Sequence, residues 1–218
     1  MRRTASSVEA LRRKLASAAR SRKPCHLRLR EDGEGIRRYC FVLKLGPEIA
    51  VCEIIGDGGY LEGFNCIPVN EIEDFVCPTP TAAFMLRLLS VRKQKATGSF
   101  PHDVSSWKSL IEDAAPHFPL TTIHIDDVCY VGKVVSVDAH SVSLHEISPN
   151  AVWDNEVTQY WLDDITRFDF GQPYEDGLSL VGGRPPKLKI RQDVAKAERG
   201  GTRTSKTSAV TARRKRKR

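Results

Sequence analysis

The stretch Tyr130-Val131-Gly132-Lys133-Val134-Val135-Ser136-Val137-Asp138-Ala139-His140-Ser141-Val142-Ser143-Leu144 reads as two short β-strands around a turn. β-Branched residues fill both arms, and Val142-Ser143-Leu144 alternates apolar with polar, the period of a half-buried strand. Asp138-Ala139-His140 supplies the turn. Gly132 lies inside the first arm, where a glycine marks a tight bend of the kind that closes a small barrel. Outward from this hairpin, Thr121 to Ile125 reads as a preceding strand ending in an Asp126-Asp127 turn. Ser148-Pro149-Asn150 makes a loop, Glu156 to Leu162 a fourth strand and Ile165 to Phe170 a fifth.

The same order recurs earlier in the chain. At an offset of 93, Val42 falls on Val135, Glu53 on Glu146, Ile54 on Ile147, Ile72 on Ile165 and Phe75 on Phe168. Phe41, Ile49, Val51, Tyr60 and Val69 meet Val134, Val142, Leu144, Trp153 and Leu162 as conservative partners. The first copy differs by a longer first turn, Glu31 to Gly35, and a Gly56-Asp57-Gly58-Gly59 loop.

Two short helices are predicted between the copies. In one, capped by Thr81, the residues Phe84, Met85, Leu88 and Leu89 form an apolar face, with Arg92, Lys93 and Lys95 near its C-terminus. The other starts near Ser105, places Trp107, Leu110, Ile111 and Ala114 on one stripe, and stops at Pro116. The expected fold is therefore mainly β with a helical connector (α+β): two tandem five-stranded small barrels joined by two short helices. The segments are 1–24, a basic N-terminal arm or helix; 25–78, the first barrel; 79–118, the connector; 119–182, the second barrel; and 183–218, a disordered basic tail.

Charge is sorted along the chain. The formal net charge is +7 over 218 residues. Residues 1–24 hold eight Lys/Arg and one Glu, and residues 184–218 hold fourteen against Asp193 and Glu198. Residues 25–183 carry 12 basic and 24 acidic side chains, a net of −12. Residues 119–176 have only Lys133 and Arg167 against eleven acids, a poor surface for phosphate, since nucleic-acid affinity rests largely on Lys and Arg.

The run Gly132, Val134, Val137, Asp138, then Val142 and Leu144, then Asp164-Ile165-Thr166, resembles the Sm-like small barrels, in which a glycine-bearing bent strand leads to an aspartate turn. The resemblance spans roughly residues 120–170 and more faintly 25–78, and it implies the fold. Sm-like proteins bind RNA, but the residues of that site are not matched: Val142 and Ser143 stand where the family carries an asparagine, and Leu162-Asp163-Asp164-Ile165 replaces its basic second motif.

The sequence offers few groups for chemistry. The six cysteines lack C-x-x-C spacing and read as reduced, buried small residues rather than metal ligands. His124 near Cys129 and the pairs Asp126-Asp127 and Asp163-Asp164 are the candidates for a thiol dyad or paired carboxylates; the pairs read as solvated turn residues. Trp153, Tyr160 and Trp161 could stack bases, but Tyr160 is expected to point inward, and Trp161 to pack under a helix or at an interface. No cofactor, metal or catalytic residue is assigned. The basic run Arg213, Arg214, Lys215, Arg216, Lys217 and Arg218 is the candidate nucleic-acid contact. The expected function is a non-enzymatic interaction protein, its acidic core contacting an unidentified protein and its tails contacting nucleic acid without sequence choice. The alternative is a protein–protein adaptor or regulator with no nucleic-acid role. No membrane contact is expected, and the expected location is intracellular, cytoplasmic or nuclear, with organelle import as an alternative for the Arg- and Ser-rich N-terminus.

Overall fold

Alternating apolar strands and amphipathic helices give one mainly β, α+β body, seen in a computed structural model that describes residues 5–30 and 36–187. The first half contains α1 (Ala5–Ser21), β1 (Cys25–Leu29), β2 (Arg38–Leu45), β3 (Ile49–Ile55), β4 (Leu61–Pro68), β5 (Ile72–Val76) and α2 (Ala82–Val91). The second contains α3 (Trp107–Ala114), β6 (Thr121–Ile125), β7 (Val128–Val137), β8 (Ser141–Ile147), β9 (Trp153–Trp161), β10 (Arg167–Phe170) and α4 (Pro173–Gly182). The turn Glu31 to Gly35, most of the expected tail and its run Arg213 to Arg218 lie outside the described residues. No described helix is long and apolar enough to cross a membrane.

The ten strands form one open antiparallel sheet in the order β5-β1-β2-β3-β4-β10-β6-β7-β8-β9. Two tandem five-stranded small barrels joined by two short helices were expected. Instead β10 pairs with β4 of the first half as well as with β6, so the halves merge at a seam, and β5 and β9 are left as the outer edges.

Within each half the pairing repeats ladder by ladder. Leu27 faces Phe75 as Ile123 faces Phe168, Cys40 faces Ile54 as Gly132 faces Glu146, and Cys52 faces Asn65 as Leu144 faces Thr158. Both second strands skip one residue, Leu43 and Val135. The correspondence corrects the single offset of 93. That offset holds from the end of β4 through β5, but it is 96 for β1 and 92 for β2 and β3. Glu53 therefore matches His145, not Glu146, and both Glu53 and His145 are buried. The slip arises because β9 carries three residues between the partners of Ile147 and His145, whereas β4 carries two between those of Ile55 and Glu53.

Each half is covered by helices on both faces. Leu11, Leu15 and Ala18 of α1 pack on Cys40, Val42, Ala50 and Cys52, so the described part of the basic N-terminal segment is a docked helix whose apolar stripe faces the sheet. Leu110, Ile111 and Ala114 of α3 cover the matching face of the second half, Val142 and Leu144, and reach across the seam to Ile49, Val51 and Cys66. On the opposite face Leu89 of α2 meets Phe41 and Ile55, and Leu178 of α4 meets Val131 and Ile147. The apolar face expected for α2 is only partly used: Leu89 is buried, while Phe84 stays 64% exposed. Gly132 is required by packing, since a Cβ there would lie 2.3 Å from the His145 carbonyl oxygen.

Candidate functional site

The seam is where polar side chains converge. Asp169 of β10 faces Asn65 of β4 in register, and the Asn65 Nδ2 amide donates to Asp169 Oδ1 at 2.6 Å. Asp169 Oδ2 lies 3.0 Å from Arg167 Nε and 2.8 Å from His124 Nε2. Arg167 Nη2 sits 3.1 Å from His124 Nδ1. The same Arg167 Nη2 lies 3.1 Å from His124 Nε2, so the guanidinium faces both ring nitrogens. Arg167, Asp169 and Asn65 are all buried. The cluster is a buried hydrogen-bond network that joins β4, β6 and β10, and its chemistry is to fix the register of the joint.

Next to it, Thr122 of β6 donates to Glu175 Oε1 at 2.6 Å, and the Gln172 N–H donates to Glu175 Oε2 at 3.1 Å, closing the capping box of α4. Burial pushes the Glu175 carboxyl up to about 7, against the lowering effect of those two hydrogen bonds. The folded value lies above the unfolded one. The native state thus holds its extra proton between these values, and the stabilisation is complete below the unfolded value and lost as pH rises through about 7. Glu175→Gln should remove that dependence. Urea midpoints measured across this range should show the variant gaining on the wild type with rising pH, by up to about 3 kcal/mol at 1.36 kcal/mol per pKa unit. Parallel pH profiles would contradict the assignment.

The residues singled out from sequence do not assemble into a reactive site. His124 faces Cys129 across the hairpin, but its nitrogens engage Asp169 and Arg167, and the Cys129 thiol is exposed. Asp126 and Asp127 are exposed and line a surface groove with Arg30, Glu71 and Thr166. Asp163 and Asp164 are exposed in a 3-10 turn, Leu162–Asp164. Cys25, Cys40, Cys52 and Cys66 are buried and Cys77 is half-buried. Burial, then the hydrogen bond with Cys77, pushes the Cys25 thiol up; for Cys40 the hydrogen bond with Cys52 leads and burial follows. The Cys25 and Cys40 thiols thus stay protonated and unreactive. Tyr160 points inward and donates to Glu146 Oε1 at 2.5 Å. Trp153 Nε1 donates to the Gly182 carbonyl at the end of α4. Trp161, 59% exposed, stands in solvent at the β9 edge rather than under a helix.

A second cluster escaped the reading of the sequence. His102 precedes α3, Asp113 lies in the last turn of α3, and His117 ends the 3-10 turn Ala115–His117 that continues it. One ligand atom from each lies within 4.8 Å of the others. The i, i+4 spacing of Asp113 and His117 was the available signal, since it puts both on one helical face. His102 Nδ1 is 3.3 Å from Asp113 Oδ2, and the two imidazole centroids are 5.1 Å apart.

Compared with protein-family models, curated proteins and solved structures, the chain finds no match.

Proposed function

We propose that the chain is a non-enzymatic interaction protein made of two Sm-like small-barrel units fused edge to edge, with an acidic folded body that contacts protein and basic segments that contact nucleic acid without base readout. The observation that carries this reading is the sorting of charge. In residues 119–176 the only cations are Lys133 and Arg167, and Arg167 is buried against Asp169, which removes it from any phosphate-binding face. The cations of residues 184–218 outnumber acids by twelve, and α1 adds Arg13, Lys14 and Arg20 on the side away from its buried stripe. The bent strand with Gly132 and the turn held by Asp138, which accepts from His140 N–H at 2.8 Å and Ser141 N–H at 2.7 Å, support the small-barrel reading.

The protein-contact surface is the β9 edge. Trp161 and Val157 are exposed there, and Asp154 and Glu156 discourage unselective edge pairing. This edge also favours the second reading, a protein–protein adaptor or regulator with no nucleic-acid role.

Full-length protein should bind duplex DNA weakly, with an affinity that falls steeply with salt. Replacing Arg213 to Arg218 by serine should reduce the log–log salt slope by about 5, at about 0.9 per phosphate contact, whereas Lys133→Gln should leave it unchanged. Fluorescence anisotropy at several salt concentrations reads both. Equal slopes for the wild type and the serine variant would overturn the nucleic-acid role, and with partner recovery in a pull-down preserved would favour the adaptor. Truncation to residue 25 is unsuitable for this comparison, because it deletes the buried Leu11 and Leu15.

A further inference from the structure

We infer that His102, Asp113 and His117 form a binding site for a zinc-type divalent ion, with a fourth coordination position left to water. Two imidazoles and one carboxylate are the donor set that borderline divalent metals take, and three protein ligands leave a position open. Calcium and magnesium, which prefer oxygen donors, are disfavoured by the imidazoles.

The placement of the three groups is that of a prepared site. His102 is held from two sides: Lys44 Nζ donates to its carbonyl oxygen at 2.6 Å, and its ring packs against Phe100 at 5.1 Å between centroids. Asp113 Oδ2 accepts the Asp103 N–H at 2.9 Å, an outer contact that orients the carboxylate. A His102–Asp113 pair alone would account for their 3.3 Å approach. It would not account for His117, whose imidazole lies beside that of His102. Asp113 and His117 are exposed and can close by small rotamer changes from the present 4.8 Å envelope to the roughly 3.3 Å separations that metal–ligand bonds of about 2.0–2.2 Å impose.

The position gives the ion a task. Phe100 packs on Phe64 of β4 and Phe170 of β10, the two strands of the seam. An ion joining His102 to Asp113 and His117 would close the loop before α3 and clamp it over that seam. This inference stands apart from the nucleic-acid reading, and failure of one leaves the other intact.

The test uses untagged full-length protein stripped with a chelator and titrated with Co²⁺, whose visible absorption reports coordination, followed by displacement with Zn²⁺. The residues outside the described structure contain no His or Cys to compete. One equivalent should bind with nitrogen- and oxygen-type spectra. His117→Ala, at an exposed position, should weaken binding on the order of 100-fold and keep the native circular dichroism. Asp113→Asn should also weaken it, while Cys129→Ser and His140→Ala should not. Absence of binding at micromolar Co²⁺, an undiminished affinity in His117→Ala, or thiolate charge-transfer bands would each overturn the inference.

Discussion

Asp169→Ala should lower the free energy of unfolding by about 3–5 kcal/mol, the range for removing one partner of a buried ion pair. The carboxylate is 3% exposed and engages Arg167, His124 and Asn65 together. Truncation takes the carboxylate from a buried guanidinium and the acceptor from a buried amide, and an unsatisfied buried group carries its full desolvation cost. The loss should show in urea as a midpoint lower by about 1–5 M at typical slopes of about 1–3 kcal/mol/M, followed by tryptophan fluorescence. Asp169→Asn keeps an acceptor for Asn65 and should lose less. A change below about 1 kcal/mol in the alanine variant would mean that the network does not hold the seam. The corresponding position on the outer edge strand β5 is Val76. The buried polar cluster thus sits at the edge that is paired, where a one-residue slip would separate Asn65 from Asp169.

Gly63→Ala should lower the free energy of unfolding by about 2–4 kcal/mol. Gly63 has φ +78°, where an L side chain costs roughly 1 kcal/mol. A Cβ there would lie 2.4 Å from the Gly171 carbonyl oxygen and 2.6 Å from that of Phe170, both backbone atoms across the joint. Backbone cannot rotate away as a side-chain tip can, so β4 and the end of β10 must separate, at an overpacking cost of about 1–3 kcal/mol. Gly177→Ala in α4 is the control: nothing lies within 4 Å of its Cβ, and a mid-helix alanine should stabilise by about 0.5–1 kcal/mol. At about 2–4 °C per kcal/mol, the melting temperature should fall by roughly 5–15 °C for Gly63→Ala and rise by a few degrees for the control. Similar shifts in both variants would contradict the close approach.

These seam residues explain where reading the sequence succeeded and where it stopped. Strands β6 to β8 were legible, with Thr121 to Ile125 and the Asp138 turn where their residues predict, whereas β9 begins at Trp153 rather than Glu156 and ends at Trp161. The stripe of α3 was legible from its helical spacing. The offset of the two copies misled because β9 is exposed on both faces from Asp154 to Gln159, so no alternation marks its extra residue, and the chance identity of Glu53 with Glu146 appeared to fix the alignment. Helix α4 was hidden by Pro173, Gly177 and Gly182, residues that read as loop, and of its apolar side chains only Leu178 is buried. The pairing of β4 with β10 joins strands about a hundred residues apart, which local patterning does not encode. Its trace was the burial of all four residues of β10, Arg167 and Asp169 included. His102, Asp113 and His117 are brought together by the chain path before α3, so spacing alone exposed only the last two.

The seam makes one cooperative body from two like halves, and intrinsic probes separate those halves. All three tryptophans, Trp107, Trp153 and Trp161, belong to the second half, while the buried thiols of Cys25, Cys40, Cys52 and Cys66 belong to the first. In a Cys77→Ser, Cys129→Ser background, which leaves only the buried thiols, thiol labelling and tryptophan fluorescence should be followed through the same urea titration. A single coincident transition is predicted. First-half thiols that become reactive while the fluorescence is still native, or the reverse, would contradict it.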